Sequence, residues 1–213
     1  SGNLQGEFVI PFNSDGSLAE NYEINASILD ADININSDLT INNLSTDIKY
    51  SFQSGKNREI NFLINQGKIL NLDLQKSSIN INFKENEKVI KSKIKTSGTT
   101  QYSEIKKIST LLGLSINNIK NIELTSNLET SVKLLLSNSF KITVKEFAIK
   151  GKINDLKLEH GEFKSIKNFL PSYDSKIVLK DTEINLLNKD NLNLSGLIKF
   201  DNKFEDFTIR YSG

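Results

Sequence analysis

Alternation of aliphatic and polar residues decides the fold, and it is clearest in the stretch Ile90-Lys91-Ser92-Lys93-Ile94-Lys95. Successive side chains of a β-strand point to opposite faces, so the two isoleucines fall on one face and the three lysines on the other. The stretch Ile79-Asn80-Ile81-Asn82-Phe83-Lys84 follows the same period. Neighbouring strands with one aliphatic and one polar face are typical of an antiparallel sheet.

The same period recurs along most of the chain, and short turn-like stretches separate its copies. We expect turns at residues 53–57, 65–68 and 84–88, and later breaks at Gly151, Gly161 and Gly196. About fourteen strands of roughly 5–9 residues are predicted. Because parallel strands need crossovers of about a dozen residues, these short connections predict an antiparallel meander. The apolar positions are Ile33/Ile35, Ile48/Tyr50/Phe52, Ile60/Phe62/Ile64, Leu70/Leu72/Leu74, Val132/Leu134/Leu136, Phe140/Ile142/Val144, Phe147/Ile149, Ile177/Leu179, Ile184/Leu186, Leu192/Leu194 and Phe207/Ile209/Tyr211.

One stretch, from Thr99 to Gly113, departs from this period. Its apolar residues recur every three to four positions, which predicts an amphipathic helix; they are Ile105, Ile108, Leu111 and Leu112. Thr99 or Thr100 suits the N-cap, Glu104 the first turn and Gly113 the position after the last turn.

The helix divides the sequence into a β unit of residues 1–98, the helical stretch 99–113 and a β unit of residues 114–213. We expect these to form one continuous elongated domain. A short helical turn is predicted at residues 163–170, where Pro171 would end it.

Composition excludes several classes of protein. Lys and Arg number 27 against 26 Asp and Glu, so the basic excess of a nucleic-acid-binding protein is absent. Cysteine is absent, which excludes disulfides and thiolate chemistry. No apolar run approaches the roughly 20 residues of a membrane helix. Because methionine is also absent and the chain opens on Ser1-Gly2, we expect a piece of a longer protein whose membrane anchor lies outside it.

Candidate catalytic and metal-binding residues are few. His160 is the only histidine, no nucleophile motif accompanies it, and we interpret it as a surface residue. The pairs Asp30/Asp32 and Asp181/Glu183 offer oxygen ligands, but the spacing of a calcium-binding loop is absent. The sequence therefore predicts a protein that is not an enzyme and has neither a metal site nor a cofactor.

A basic cluster comprises Lys91, Lys93 and Lys95, with Lys106 and Lys107 nearby. Lysines commonly form a solvated face or protect an exposed strand edge, and this interpretation is favoured. The alternative is contact with the anionic head groups of lipids.

The aliphatic face admits two interpretations, because a closed β-sandwich core and an open apolar groove produce the same alternation. The short turns, the strongly polar opposite face and the absence of Trp favour a curled sheet or incomplete barrel with a groove. The closed sandwich stays open as the alternative. Residues expected to line the groove are Ile79, Ile81, Phe83, Ile90, Ile94, Val132, Leu134, Leu136, Phe140, Ile142 and Val144.

Later strands carry Lys-Gly or Ser-Gly between aliphatic runs, as in Ile149-Lys150-Gly151-Lys152-Ile153-Asn154-Asp155-Leu156 and Leu192-Asn193-Leu194-Ser195-Gly196-Leu197-Ile198-Lys199-Phe200. Together with Phe169-Leu170-Pro171 and the segment Lys180–Ile184, they give the chain a resemblance to the AsmA-like superfamily of bacterial envelope proteins, which includes the TamB-type and YhdP-type lipid bridges. The resemblance covers most of the chain loosely and assigns no role to any single residue.

The resemblance implies an incomplete β-barrel with a hydrophobic channel, anchored in the inner membrane by a missing segment and spanning the periplasm. It implies that phospholipid acyl chains are the partner, and that lipid transfer contributes to outer-membrane biogenesis and lipid homeostasis. The alternative function is a structural or adhesive β scaffold with a dry core.

Overall fold

The computed structural model describes residues 2–9, 11–17, 19, 21–37, 39–53, 58–111, 118–139, 141–161, 175–188, 190–200 and 202–213. Eleven strands in these ranges form one antiparallel sheet whose spatial order is the chain order, and this sheet is not closed into a barrel. The predicted all-β meander with one helix is confirmed, and a single sheet replaces the two layers of the sandwich alternative. The elements are β1 (Asn3–Val9), β2 (Asn21–Asn36), β3 (Leu39–Gln53), β4 (Arg58–Ile69), β5 (Leu72–Phe83), β6 (Glu87–Gln101), α1 (Tyr102–Leu111), β7 (Ile119–Ser137), β8 (Ile142–His160), β9 (Lys176–Leu187), β10 (Asn191–Phe200) and β11 (Lys203–Ser212).

The described strands are fewer and longer than the sequence predicted, because several contain a β-bulge. In β5 the aliphatic positions are even at Leu72 and Leu74 and odd from Ile79 onward, and Lys76 between them has a φ of 40°. An extra residue in a left-handed conformation lets a strand continue while its alternation changes phase. Positive φ values also occur inside β2, β3 and β9, at Asp30, Asn43 and Asp181.

Small hydroxyl side chains follow two of these bulges. Ser77 and Thr182 each come directly after a left-handed residue and are fully buried. The Ser77 hydroxyl accepts a hydrogen bond from the Lys95 amide (2.9 Å) and lies 3.1 Å from the Gln75 carbonyl, to which it donates. A bulge removes backbone groups from the regular ladder, so these hydroxyls satisfy groups that would otherwise be buried without a partner.

Three glycines that were expected in turns or breaks lie inside strands. Gly67 belongs to β4 and the turn follows at Leu70 and Asn71, so the turn predicted at residues 65–68 is wrong. Gly151 and Gly196 lie within β8 and β10. At Gly151 and Gly196 a neighbouring backbone approaches too closely for a side chain, which is another reason for a glycine inside a strand.

The other predicted breaks agree with the structure where it describes them. The charged tip is a hairpin in which the Lys84 amide donates to the Glu87 carbonyl (2.9 Å), and β8 ends just before Gly161. β3 ends at Gln53 and β4 begins at Arg58, while residues 54–57 lie outside the described residues.

The helix begins at Tyr102, three residues later than predicted, because residues 99–101 extend β6. Glu104 holds its first turn: one carboxylate oxygen accepts from the Gln101 amide (2.9 Å), and the other accepts from the Asn71 side chain (2.6 Å). An acidic residue in the first turn also suits the helix dipole. The predicted end at Gly113, the helical turn at 163–170 and Pro171 lie outside the described residues.

The chain forms two compact units, and both take residues from before and after the helix, whereas the sequence pattern predicted a division at the helix itself. The core of the first is a cluster of Leu44, Ile64 and Leu74, against which Ile41, Ile69, Ile79 and Ile94 pack. In the second, Ile153 and Leu179 are buried. The first comprises Ser1–Ile69, Asp73–Thr96 and Glu129–Ile149, and the second Leu70–Leu72, Ser97–Leu128 and Lys150–Gly213.

Gly151→Ala should destabilise the protein by about 1–3 kcal/mol, the cost of a strained backbone position. Gly151 has a φ of 140°, and a Cβ there would lie 2.2 Å from the Asn127 carbonyl oxygen. Urea unfolding measures the loss. Gly161→Ala is the matched control, because its nearest neighbour would be 3.6 Å away. Equal stability of the two variants would contradict the close approach.

Candidate functional site: the apolar face of the first unit

Cross-strand register aligns one apolar face across β2, β3 and β4. Residues directly opposite each other on antiparallel strands point to the same side. Ile48 lies opposite both Ala26 of β2 and Phe62 of β4, and Tyr50 lies opposite Ile24 and Ile60. Residues between them form the opposite, polar face; among these are Glu23, Asn25, Asp47, Lys49, Glu59 and Asn61.

The next two strands continue both faces. The Asn80 side chain bonds to the side chains of Asn61 and Glu59, which places Asn80 on the polar face. Alternation then puts Ile79, Ile81 and Phe83 on the apolar face. In β6, Lys91 and Val89 line a depression together with Asn80 and Asn82, so they belong to the polar face. By alternation Ile90 and Ile94 lie on the apolar face, and Ile94 packs against the Leu44–Ile64–Leu74 cluster as expected.

β7 follows the same pattern. Lys133 and Leu135 line the same depression as Lys91, and Glu129 binds Lys93 (3.0 Å) on the polar face. The residues that alternate with them, Val132, Leu134 and Leu136, therefore belong to the apolar face. We use the name apolar face for the side made of Ile24, Ile48, Tyr50, Ile60, Phe62, Ile64, Ile79, Ile81, Phe83, Ile90, Ile94, Val132, Leu134 and Leu136.

The structure thus brings eight of the eleven proposed groove residues onto one face. Ile142 and Val144 of β8 are 64% and 60% exposed, which sets them apart from the eight, and Phe140 lies outside the described residues. Sequence reasoning left out the members of β2, β3 and β4 from the groove, although their period was visible. The missing information was the order of the strands, which makes these members neighbours of the other eight.

Burial separates the apolar face from an ordinary core. The eight groove residues are half-buried, although each is aliphatic or aromatic. In a β-sandwich the facing sheet would cover such residues. Near-complete burial in this unit's face is confined to one end, where Leu44, Ile64 and Leu74 are 5–7% exposed. Beyond that cluster the face offers a continuous aliphatic surface.

Ion pairs and hydrogen bonds organise the polar face. Glu129 binds Lys93 (3.0 Å) and also lies 3.8 Å from Lys95, and Lys133 binds Glu146 (2.6 Å). The lysine-bearing strand β6 lies between β5 and β7, so these lysines do not guard a sheet edge. Their neighbours favour the interpretation as a solvated face.

A depression of about 320 Å³ lies on the polar face, where Lys84, Lys91 and Lys133 surround Val89 and Asn82. Within the described part of the chain, the buried Asn82 Oδ1 has no hydrogen-bond partner. A second depression, of about 370 Å³, lies in the other unit between the start of α1 and β7. Most of the residues that line each depression are of polar type, so neither resembles the aliphatic path that the sequence predicted.

His160 is buried rather than at the surface, which corrects its interpretation. It is 5% exposed, and its Nδ1 lies 2.6 Å from the Gly161 carbonyl oxygen. Its backbone amide donates to the Ser175 carbonyl, so this residue closes the end of β8.

Three of the four residues in the acidic pairs bind neighbouring protein groups. Asp32 accepts a hydrogen bond from the Asn43 amide (3.0 Å), and Asp30 accepts one from Gln66 (3.3 Å). Asp181 binds Lys152 (2.8 Å), and the Lys152 ammonium group holds the pKa of Asp181 below its usual value. In the described ranges no three His, Cys, Asp or Glu side chains are grouped so as to hold a metal ion. None of the helices described is both long and apolar enough to cross a membrane.

No protein-family model, no curated protein and no solved structure matches the chain.

Truncation should distinguish the covered cluster from the open part of the apolar face. Leu74→Ala should cost about 2–5 kcal/mol of unfolding free energy, the usual loss for a buried leucine. Leu134→Ala should cost less, about 1–2 kcal/mol, because the Leu134 side chain is only half-buried and the substitution removes less buried apolar area than at Leu74. Urea unfolding of the two variants compares them, and a larger loss at Leu134 would indicate that a protein layer covers the face.

The acid stability of the polar face should depend on Asp47. Hydrogen bonds from Asn65 (2.9 Å) and Ser27 (2.7 Å) lower the pKa of Asp47. A lowered pKa means that the stabilisation is present above the unfolded value, about 3.9, and is lost as the pH falls below it. Asp47→Asn should therefore destabilise the protein at neutral pH and lose this effect in acid. Urea titrations at both pH values measure it, Asn65→Ala should reduce the same pH dependence, and a pH-independent difference would refute the assignment.

Proposed function

We propose that this chain is a lipid-transfer module that holds phospholipid acyl chains against the apolar face of its first unit. The observation that carries the proposal is an aliphatic face that continues over six strands and stays half-buried beyond the Leu44–Ile64–Leu74 cluster. A contiguous apolar surface that the protein itself does not fully cover commonly marks a binding site. The regularity of the face suits a ligand that is itself long, uniform and apolar.

The energetics suit such a ligand. An exposed methylene group costs about 0.8 kcal/mol in water, so a sixteen-carbon tail meets a barrier of about 13 kcal/mol. Burial against aliphatic side chains offsets most of that barrier without a covalent step. The function therefore needs no catalytic residue, and the protein acts as a binding surface rather than an enzyme.

The dimensions of the face are sufficient. Neighbouring strands lie about 4.8 Å apart, so the five spacings from β2 to β7 give a path of about 24 Å along the sheet. One leaflet of a bilayer has a hydrocarbon thickness of about 15 Å, half of the usual core. A complete acyl tail thus fits on the face, while its head group stays in water.

The cellular role belongs to the same proposal. We place the module in the bacterial periplasm, held at the inner membrane by a segment outside this chain and contributing to lipid supply of the outer membrane. The resemblance to AsmA-like proteins supports this setting, and the single antiparallel sheet that is not closed into a barrel agrees with the architecture it implies.

Photocrosslinking tests the proposal directly. A photoreactive benzoylphenylalanine in place of Phe83, on the apolar face, should crosslink to phospholipid in cells. The same group in place of Lys93, about half exposed on the polar face, is the matched control and should give no lipid adduct. Mass spectrometry identifies the adducts. Equal labelling at both positions, or none at Phe83, would contradict the proposal.

A pair of adjacent leucines gives a second measurement. Leu134→Gln and Leu135→Gln make the same change on the apolar and the polar face, one residue apart. Leu134→Gln should lower the phospholipid that co-purifies with the chain, and Leu135→Gln should leave it unchanged; circular dichroism checks that both fold. A parent chain without co-purified lipid would favour the structural or adhesive scaffold instead.

A further inference from the structure

The apolar side of the first unit ends in a row of aromatic and cationic side chains. Register pairs Tyr22 of β2 with Phe52 of β3, and the centres of their rings are 5.0 Å apart. The register of β3 and β4, continued by one residue, places Phe52 opposite Arg58. The Arg58 guanidinium lies 5.4 Å from the centre of the Phe52 ring. Three neighbouring strands thus bring two aromatic rings and a guanidinium together at one level of the sheet.

The next two strands extend this row. Asn80 bonds to Asn61, and β4 and β5 are antiparallel. Phe83, three residues further along β5, therefore lies close to the level of Arg58, three residues earlier in β4. The tight turn between β5 and β6 places Lys88 opposite Phe83, and the Lys88 ammonium lies 5.8 Å from the centre of the Phe83 ring. We use the name edge row for Tyr22, Phe52, Arg58, Phe83 and Lys88.

Positive charge on this side of the sheet is concentrated in the edge row. From there to the Leu44–Ile64–Leu74 cluster, the described residues that β2 to β6 contribute to the same side are uncharged. The neighbouring carboxylates of Glu59 and Glu87 lie on the polar face. Arg58 is exposed, and no carboxylate of the described residues lies within ion-pair distance of it. Its charge is therefore available to an anion on the apolar side.

The edge row matches the boundary between the head group and the tails of a phospholipid. Arg and Lys side chains lay their methylene stems along apolar surface and keep the charge in water. A guanidinium binds two oxygens of one phosphate, and tyrosine rings favour the head-group level of a bilayer. β4 and β6 lie about 10 Å apart, so the long side chains of Arg58 and Lys88 can reach one phosphate from two sides.

We propose that Arg58 and Lys88 bind the phosphate group of a phospholipid whose acyl tails lie on the apolar face. This contact rests on the proposed lipid-binding function and adds an orientation to it: the head group lies at the edge row, and the tails run along the strands toward the Leu44–Ile64–Leu74 cluster. The six residues from Arg58 to Ile64 span about 20 Å. This length exceeds the roughly 15 Å of hydrocarbon in one bilayer leaflet, so the tails fit between the edge row and the cluster.

Lipids that share their tails and differ in the head group test the phosphate contact. The chain is incubated with detergent micelles that contain equal amounts of dipalmitoylphosphatidylglycerol and dipalmitoylglycerol, and native mass spectrometry measures which lipid it retains. The parent should prefer the phospholipid about tenfold or more, the effect of two cations near one phosphate. Arg58→Gln with Lys88→Gln should abolish this preference and leave retention of the neutral lipid unchanged. The preference is a ratio within one sample, so a destabilised variant still reports it.

Two matched variants separate charge from packing. Lys49→Gln with Lys91→Gln removes the same two charges from the polar face and should keep the preference. Arg58→Lys with Lys88→Arg alters both ring contacts but retains both charges, and it should keep the preference too. Equal retention of the two lipids by the parent, or an undiminished preference in the Gln variant of the edge row, would overturn the phosphate site and leave the lipid-binding function standing. Retention of neither lipid would overturn both.

Photoreactive lipids test the orientation. Phosphatidylglycerol with a diazirine at the end of one acyl tail should label residues around Phe62 and Ile64. The same lipid with the diazirine in its head group should label residues around Phe83 and Lys88. Peptide mass spectrometry locates the adducts. Identical labelling by the two probes, or the reverse order, would overturn the proposed orientation.

Discussion

The fold depends on one constraint: the strands are hydrogen-bonded into a single layer, so every side chain must point to one of only two sides. The backbone ladder satisfies the polar groups of the chain but does not cover any side chain. An alternating sequence in such a layer gathers its apolar residues on one side whatever their order along the chain. The apolar face and the ion-paired face of the first unit follow from this, and so does the half-buried state of Ile81 or Leu134.

The bulges preserve that separation of apolar and polar side chains along strands of 12 to 16 residues. At Lys76 and Asp181 an extra left-handed residue corrects the phase of the strand. The hydroxyls of Ser77 and Thr182 then bind the backbone groups that the correction displaces. Gly151 and Gly196 allow a close approach between neighbouring strands, because a side chain at either position would clash with the adjacent backbone.

Local alternation made the fold class predictable, as well as the sidedness of strands such as Ile79–Phe83 and Ile90–Ile94. Three further features need information that a local pattern lacks. Strand lengths were underestimated because a change of phase, as between Leu74 and Ile79, was interpreted as a break; without turn residues it is the signal of a bulge. Gly67 was assigned to a turn because glycine serves turns and bulged strands alike. His160 is buried, and its backbone amide binds the Ser175 carbonyl, a neighbour that the local sequence pattern does not place beside it.

A bulge also decides where the chain tolerates a change of length. Deleting a residue from a regular strand would move every later side chain of that strand to the opposite face of the sheet, so that lysines would take the positions of isoleucines. Deleting Lys76 instead removes the surplus residue, so that the aliphatic positions before and after it fall into one continuous alternation. Homologues of this sequence should therefore carry single-residue insertions and deletions mainly at the left-handed positions, where a change in strand length does not reverse the two faces.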